Sequence, residues 1–205
     1  MLKDLAISEF LEQTASADPL PGGGCTAALN AALAASLTGM VANLTIGRKE
    51  FQAVEEEMQE IAKTAADLRI KLQNDIDNDA QAYQAVLAAF KLPKITDEDK
   101  KRRSDAIQQA YKAAATVPLG VARDTATVMD LAARAITNGN PNAVTDGAVA
   151  VLAARTAALA AAYNVKINLS AIKDTAFVAE LTREIEELEQ QVIAKEKEIL
   201  AQVAI

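Results

Sequence analysis

The chain has 205 residues, among them no histidine, one cysteine (Cys25) and 3% aromatic residues, and it carries a formal net charge of −7. Without histidine it can build no Ser-His-Asp triad, Cys-His dyad, His-rich zinc site or His-ligated haem, so proton transfer falls to carboxylates, lysine or tyrosine. The acidic balance excludes a phosphate-tracking surface: the largest basic run, Lys100 to Arg103, follows Asp97, Glu98 and Asp99 and reads as a solvated helix face, so no nucleic-acid partner is expected.

The length fits one domain with one sizeable core. A composition rich in Ala, Leu, Ile, Glu, Lys and Gln favours helix, and no regular strand is expected. In chain order, a short helix near Leu2 to Ala15 ends before SADPLPGGG, whose prolines and glycines cannot continue it. A second helix is expected from about Thr26 to Thr45. Its small side chains let neighbouring backbones approach, and Asn30, Ser36, Thr38 and Asn43 mark it as a core helix rather than a membrane span.

The positions Val54, Met58, Ile61, Ala65, Leu68, Leu72, Ile76, Tyr83, Val86 and Phe90 recur at steps of three and four or their sum, which predicts one long helix over Gln52 to Phe90. LPKIT breaks it. Thr96 with Asp99 resembles a capping box opening a helix to about Thr116, and Pro118 suits the first position of a further helix that stops at Asn138-Gly139. After the polar turn NGNPNAVTD comes an Ala-rich helix over Asp146 to Ala162, and the link NVKINLSAIKD leads to the last helix. There the seam Val178, Leu181, Ile185, Leu188, Val192 and Ile199, interrupted by Lys195, predicts packing on another helix of the same or a partner chain. The expected fold is all-α, a single-domain antiparallel helical bundle of about seven helices spanning 1–205. Asp4 and Glu9 come too early for a signal peptide, and a lone cysteine makes no internal disulfide, so a cytoplasmic location is expected.

Three groups of residues are candidates for chemistry. PGGG, Pro21 to Gly24, directly precedes a helix, where free N–H groups and the absence of side chains suit an anion; the same residues also make an ordinary tight turn. Asp75 and Asp79 project onto the apolar side of the long helix beside Leu72 and Tyr83, whereas Asp77 points nearly opposite and is read, with Asn78, as solvated. A carboxylate on such a stripe requires either a salt bridge, to Arg48, Lys94 or Arg123, or a functional site. Arg48, Lys94, Asn140, Asp146 and Asn168 form the third group, polar residues at helix ends and turns; Asp146 equally serves as a first-turn acid and Asn140 as a turn former. No EF-hand loop or paired acidic motif is present, and no metal is expected.

The blocks PLPGGGCTAALNAALAASLTGMVANLT, IGRKEF from Ile46, DNDAQAY from Asp77, LPKITDEDKKRR from Leu92, VPL from Val117, GN at Gly139, TD at Thr145 and NVKINL from Asn164 cover nearly the whole chain. Together, and in this order, they resemble the cyclodeaminase domain of formiminotransferase-cyclodeaminase and the stand-alone methenyltetrahydrofolate cyclohydrolases. That resemblance implies an all-helical fold forming homodimers, and a tetrahydrofolate derivative bound as substrate near the glycine loop and the dimer interface, with no further cofactor. It also implies Asp79 as the catalytic residue. Gly22, Gly23 and Gly24 then line the cradle, Arg48 and Lys94 hold carboxylate or carbonyl groups of the folate, and Asn140, Asp146 and Asn168 complete the binding site. Cys25 stands where the family commonly has Ser, and Ile46 where it often has Tyr. The implied reaction is hydrolysis of the methenyl bridge to 10-formyltetrahydrofolate. Ammonia release from formiminotetrahydrofolate is the alternative, and a non-catalytic helical dimeric binding module is the alternative of another class.

Overall fold

The computed structural model describes residues 1–203, which form six α-helices and three short 3-10 turns and, among the described residues, no strand. The helices are α1 (Ile7–Thr14), α2 (Gly23–Asn43), α3 (Glu55–Phe90), α4 (Asp97–Asn138), α5 (Val144–Leu169) and α6 (Thr175–Leu200). Successive long helices run antiparallel. Cys25 at the start of α2 meets Asp79 late in α3, Arg134 late in α4 pairs with Glu57 early in α3, and Lys166 late in α5 pairs with Glu189 of α6.

Helix α2 lies at the centre, against α3, α4 and α5. Its buried positions are mostly alanine, as are those of α5, so the backbones approach closely and much of the core is small side chains. The segments Gly23–Asn43 and Pro141–Leu169 are long and apolar enough to cross a membrane by length and composition, yet about half of each is buried in the bundle. Their outer faces carry Leu29, Leu33 and Met40 on α2 and Val149, Leu152, Tyr163 and Ile167 on α5, all exposed. The seam of α6 is satisfied within the chain: Leu181, Ile185, Val192 and Ile199 are buried, and Lys195, which interrupts it, pairs with Asp130 of α4.

The bundle has six helices rather than seven because α4 runs unbroken for 42 residues through Pro118. A proline inside a helix leaves the carbonyl four residues earlier without its N–H partner. Here that carbonyl belongs to Ala114, and Asn168 of α5 donates to it from Nδ2 at 3.0 Å. Burial of Ala114, Ala115, Pro118 and Leu119 holds the two halves in line.

Two boundaries also move. Helix α2 begins at Gly23, inside the glycine run, and α5 continues to Leu169, because Asn164 and Asn168 both back-bond to helix carbonyls while Val165 and Leu169 bury their side chains. The capping box is formed as expected, with Asp99 donating its N–H to Thr96 Oγ1 at 3.0 Å and accepting from Thr96 at 3.2 Å.

Asp77 is not solvated. The side of α3 facing away from the α2 packing stripe is covered by the 3-10 turn Leu2–Asp4, and Asp77 is buried there, accepting the Leu2 N–H at 2.7 Å.

Replacing Asn168 by Ala leaves the Ala114 carbonyl unpaired and is expected to cost about 1–3 kcal/mol in chemical denaturation. Pro118→Ala returns an N–H to that carbonyl, so Asn168→Ala should cost less in the Pro118→Ala background. Equal costs in both backgrounds would show that Asn168 does not stand in for the missing donor.

Candidate active site

A cavity of about 430 Å³ opens where the start of α2, the later part of α3, the middle of α4 and the end of α5 converge. Gly22, Gly23 and Gly24 form one wall, Asp79, Tyr83 and Val86 another, and Tyr111, Asn164, Ile167 and Asn168 much of the rest. Asp79 is the one charged side chain among the lining residues.

Helix α2 starts with Gly22 as its N-cap, a residue with no side chain to accept the free N–H groups of the first turn. Asp79 reaches that turn from across the bundle. Its carboxylate lies directly over Gly24, where any Cβ would fall inside it, and accepts from the Cys25 thiol, with Sγ 3.3 Å from Oδ2. The glycine run is thus a cradle for an anion, and the anion is a side chain of the same protein.

Burial pushes Asp79 above the usual carboxylate range, against the opposing pull of the thiol and the backbone N–H. No salt bridge engages it among the described residues; Arg123 instead forms a two-pronged pair with Glu184 at 2.5 and 2.7 Å. The Cys25 thiol is pushed up to about 12, first by burial and then by the charge of Asp79, so it stays protonated and acts as a donor rather than a nucleophile.

Of the residues singled out from sequence, the fold brings Gly22, Gly23, Gly24, Asp79 and Asn168 together. Asp75 is separate: it lies outside the cavity, accepts from Asn78 at 2.8 Å, and is raised mainly by burial. Lys94 is exposed on the link between α3 and α4. Arg48, Asn140 and Asp146 lie past the other end of α2, roughly 30 Å away along a helix of that length. Asn140 is buried there, donating its N–H to Thr45 Oγ1 at 2.9 Å and its Nδ2 to the Leu44 carbonyl at 3.1 Å while accepting from Asn142.

Other lining residues, Tyr83, Val86, Tyr111, Asn164 and Ile167 among them, were not singled out from sequence. Tyr83 and Val86 belonged to the apolar stripe that located Asp79, and Asn164 stands one turn before Asn168, which is the spacing that puts two side chains on one helix face. Asn164 packs on Gly23 and spends Nδ2 on the Ala160 carbonyl at 2.8 Å. Among the described residues no group of three or more acidic or cysteine side chains could hold a metal ion.

Residues 6–187 match the family model described as formiminotransferase-cyclodeaminase. The chain is 42% identical to a methenyltetrahydrofolate cyclohydrolase of Methylorubrum extorquens over 182 residues, 89% of this chain and 88% of that one. It is 36% identical to the formimidoyltransferase-cyclodeaminase of Sus scrofa over 89% of its own length but spans only 34% of that longer protein. The crystal structure of a formiminotetrahydrofolate cyclodeaminase from Thermotoga maritima superposes with a TM-score of 0.89 at 28% identity, covering 99% of this chain and 98% of that one.

The raised proton affinity of Asp79 has a signed consequence for stability. A carboxyl group whose folded pKa lies above its unfolded value, about 3.9, favours folding when protonated, and that contribution is lost as pH rises through the folded pKa. Asp79→Asn removes the ionisation while its Oδ1 can still accept from Cys25. Its melting temperature should exceed the parent's at neutral pH, and the gap should close as pH falls towards about 4. A gap independent of pH would mean that the charge on Asp79 has no cost in the fold.

Proposed function

Since the chain belongs to the formiminotransferase-cyclodeaminase family, we propose that it is a methenyltetrahydrofolate cyclohydrolase in which Asp79 is the acid and base. The observation that carries the mechanism is a lone carboxylate of raised proton affinity in a cavity otherwise lined by aromatic, aliphatic, amide and glycine residues. The methenyl bridge is an amidinium-like cation whose carbon is already electrophilic. A single negative charge with poorly polar walls attracts that centre and strengthens the interaction relative to water.

In the forward direction ionised Asp79 takes a proton from water as the new C–O bond forms, leaving a tetrahedral carbon. The protonated carboxyl then gives its proton to N5 as the C–N5 bond breaks. The hydroxyl proton leaves to solvent, and the carbon stays on N10 as a formyl group. A proton affinity raised above that of an ordinary carboxylate serves both steps. Tyr83, Tyr111, Val86 and Ile167 supply the flat apolar walls that a pterin ring needs, and Asn164 keeps Oδ1 to accept from a ring N–H.

Ammonia release from formiminotetrahydrofolate passes through a tetrahedral carbon at the same bridge, and likeness to the Thermotoga maritima structure favours it. Near-full-length identity to a stand-alone cyclohydrolase favours hydrolysis. Loss of methenyltetrahydrofolate absorbance, run beside ammonia release from formiminotetrahydrofolate, separates the two. The longer relatives' transferase activity is not carried over to this chain. A cytoplasmic enzyme with no cofactor besides its folate substrate fits both reactions.

The enzyme is further proposed to work as a homodimer. The apolar outer faces of α2 and α5 lie side by side, while the α6 seam is already used within the chain. Two-fold pairing of the α2 and α5 faces with their axes opposed sets the Arg48, Asn140 and Asp146 end of one protomer towards the Asp79 cavity of its partner. This arrangement supports a role for Arg48 and Asp146 in the folate site despite their distance within one chain, with buried Asn140 shaping the turn between them.

Asp79→Asn should fold and lose turnover by on the order of a hundredfold or more, as expected for a positioned acid and base. Full activity in that variant would end the mechanism. Sedimentation should find a dimer at micromolar concentration. Co-expressed Asp79→Asn and Arg48→Ala chains, each inactive alone, should recover roughly a quarter of the parent's turnover through mixed dimers with one intact site. No recovery would confine the site to single chains.

A further inference from the structure

We propose that Cys25 is a positioning residue for proton transfer: its thiol, donating to Oδ2, holds the Asp79 carboxylate in one orientation over Gly24 and tempers its proton affinity. This rests on the acid and base role given to Asp79 above. Cys25 is fully buried at the third residue of α2, counting from the Gly22 cap, so its side chain is fixed by the helix and by the packing around it. It has no route to solvent and no cation beside it. The thiol is therefore neither a redox centre nor a nucleophile, and its proton is always present to be donated.

The titratable groups around Asp79 are few. Helix α2 offers Cys25, α3 offers Tyr83 and α4 offers Tyr111, while α5 contributes only the uncharged Asn164 and Asn168. With no cation to stabilise the carboxylate, donors at the start of α2 are what oppose its desolvation, and the thiol is the one whose strength a side-chain change can alter. An S–H is a weak donor and a hydroxyl a stronger one. Sulfur at this position thus leaves Asp79 a stronger base than serine would, and alanine, with no donor, would leave it a stronger base still while freeing it to rotate.

The test is a titration of the Asp79 carboxyl by carbon-13 NMR of aspartate-labelled protein, assigned through Asp79→Asn, in the parent, Cys25→Ser and Cys25→Ala. The midpoint should fall in Cys25→Ser and rise in Cys25→Ala, each by about half a pH unit or more, the size of one ordinary hydrogen bond. The acid limb of the turnover profile should move in the same order, with turnover lost in Cys25→Ala and recovered in Cys25→Ser. Identical midpoints in all three proteins would overturn the proposal and reduce Cys25 to a space filler. Should Cys25→Ala fail to fold, the fall in the Cys25→Ser midpoint decides alone. Should the parent turn over neither folate, the assigned reaction fails, while the titration still decides whether Cys25 governs Asp79.

Discussion

The bundle depends on one contact between a helix end and a carboxylate on a neighbouring helix. Helix α2 is the central element, and its first turn has no cap of its own because Gly22 has no side chain. Asp79 brings a carboxylate over that turn from α3, accepting from the Cys25 thiol, and can do so only because Gly24 has no Cβ. The pairing fixes the register of α2 against α3 and seats the carboxylate at the floor of the cavity in the same stroke. A helix N-terminus stabilises negative charge through its free N–H groups and dipole. Burial here still outweighs that stabilisation, so the carboxylate is anchored in position yet left with an appetite for a proton.

The opposite wall follows the same economy of donors. Pro118 removes an N–H from α4, and Asn168, a cavity-lining residue of α5, replaces it at the Ala114 carbonyl. Asn168 also back-bonds to the Asn164 carbonyl, so its amide nitrogen ties α5 both to its own preceding turn and to α4. Having spent Nδ2 twice, Asn168 contributes to the cavity chiefly by holding its wall. Asn164 keeps a free carbonyl oxygen beside Gly23 and is better placed to meet a ligand.

Asp79 was legible in the sequence because a carboxylate on an otherwise apolar helix stripe requires an explanation, and the three-and-four spacing from Leu68 to Val86 is strong enough to project. The same projection misplaced Asp77. Periodicity reports one packing face per helix, and nothing in it shows that Leu2–Asp4 folds back over the other side of α3. The break expected at Pro118 failed for a related reason: the residue that repairs it lies 50 positions later in sequence, at Asn168. Local rules carry capping boxes, as at Thr96, but not repairs made by a distant side chain. Arg48 and Asn140 drew attention as polar residues at turns, and within one chain the turn is where Asn140 spends its hydrogen bonds.

A folate is an anion and the chain is acidic, with a formal net charge of −7, so long-range attraction does not explain why such a substrate would enter. The local charge at the reacting centre does. The methenyl bridge carries a positive charge that hydrolysis removes, with the proton released to solvent, so the attraction that seats the substrate weakens once the formyl product has formed. A cation in the cavity would repel the bridge and depress the proton affinity of Asp79 together. Neutral amides, phenols and glycine avoid both effects. With no charged group beside it in the cavity, Asp79 keeps its raised proton affinity in a chain that has no histidine.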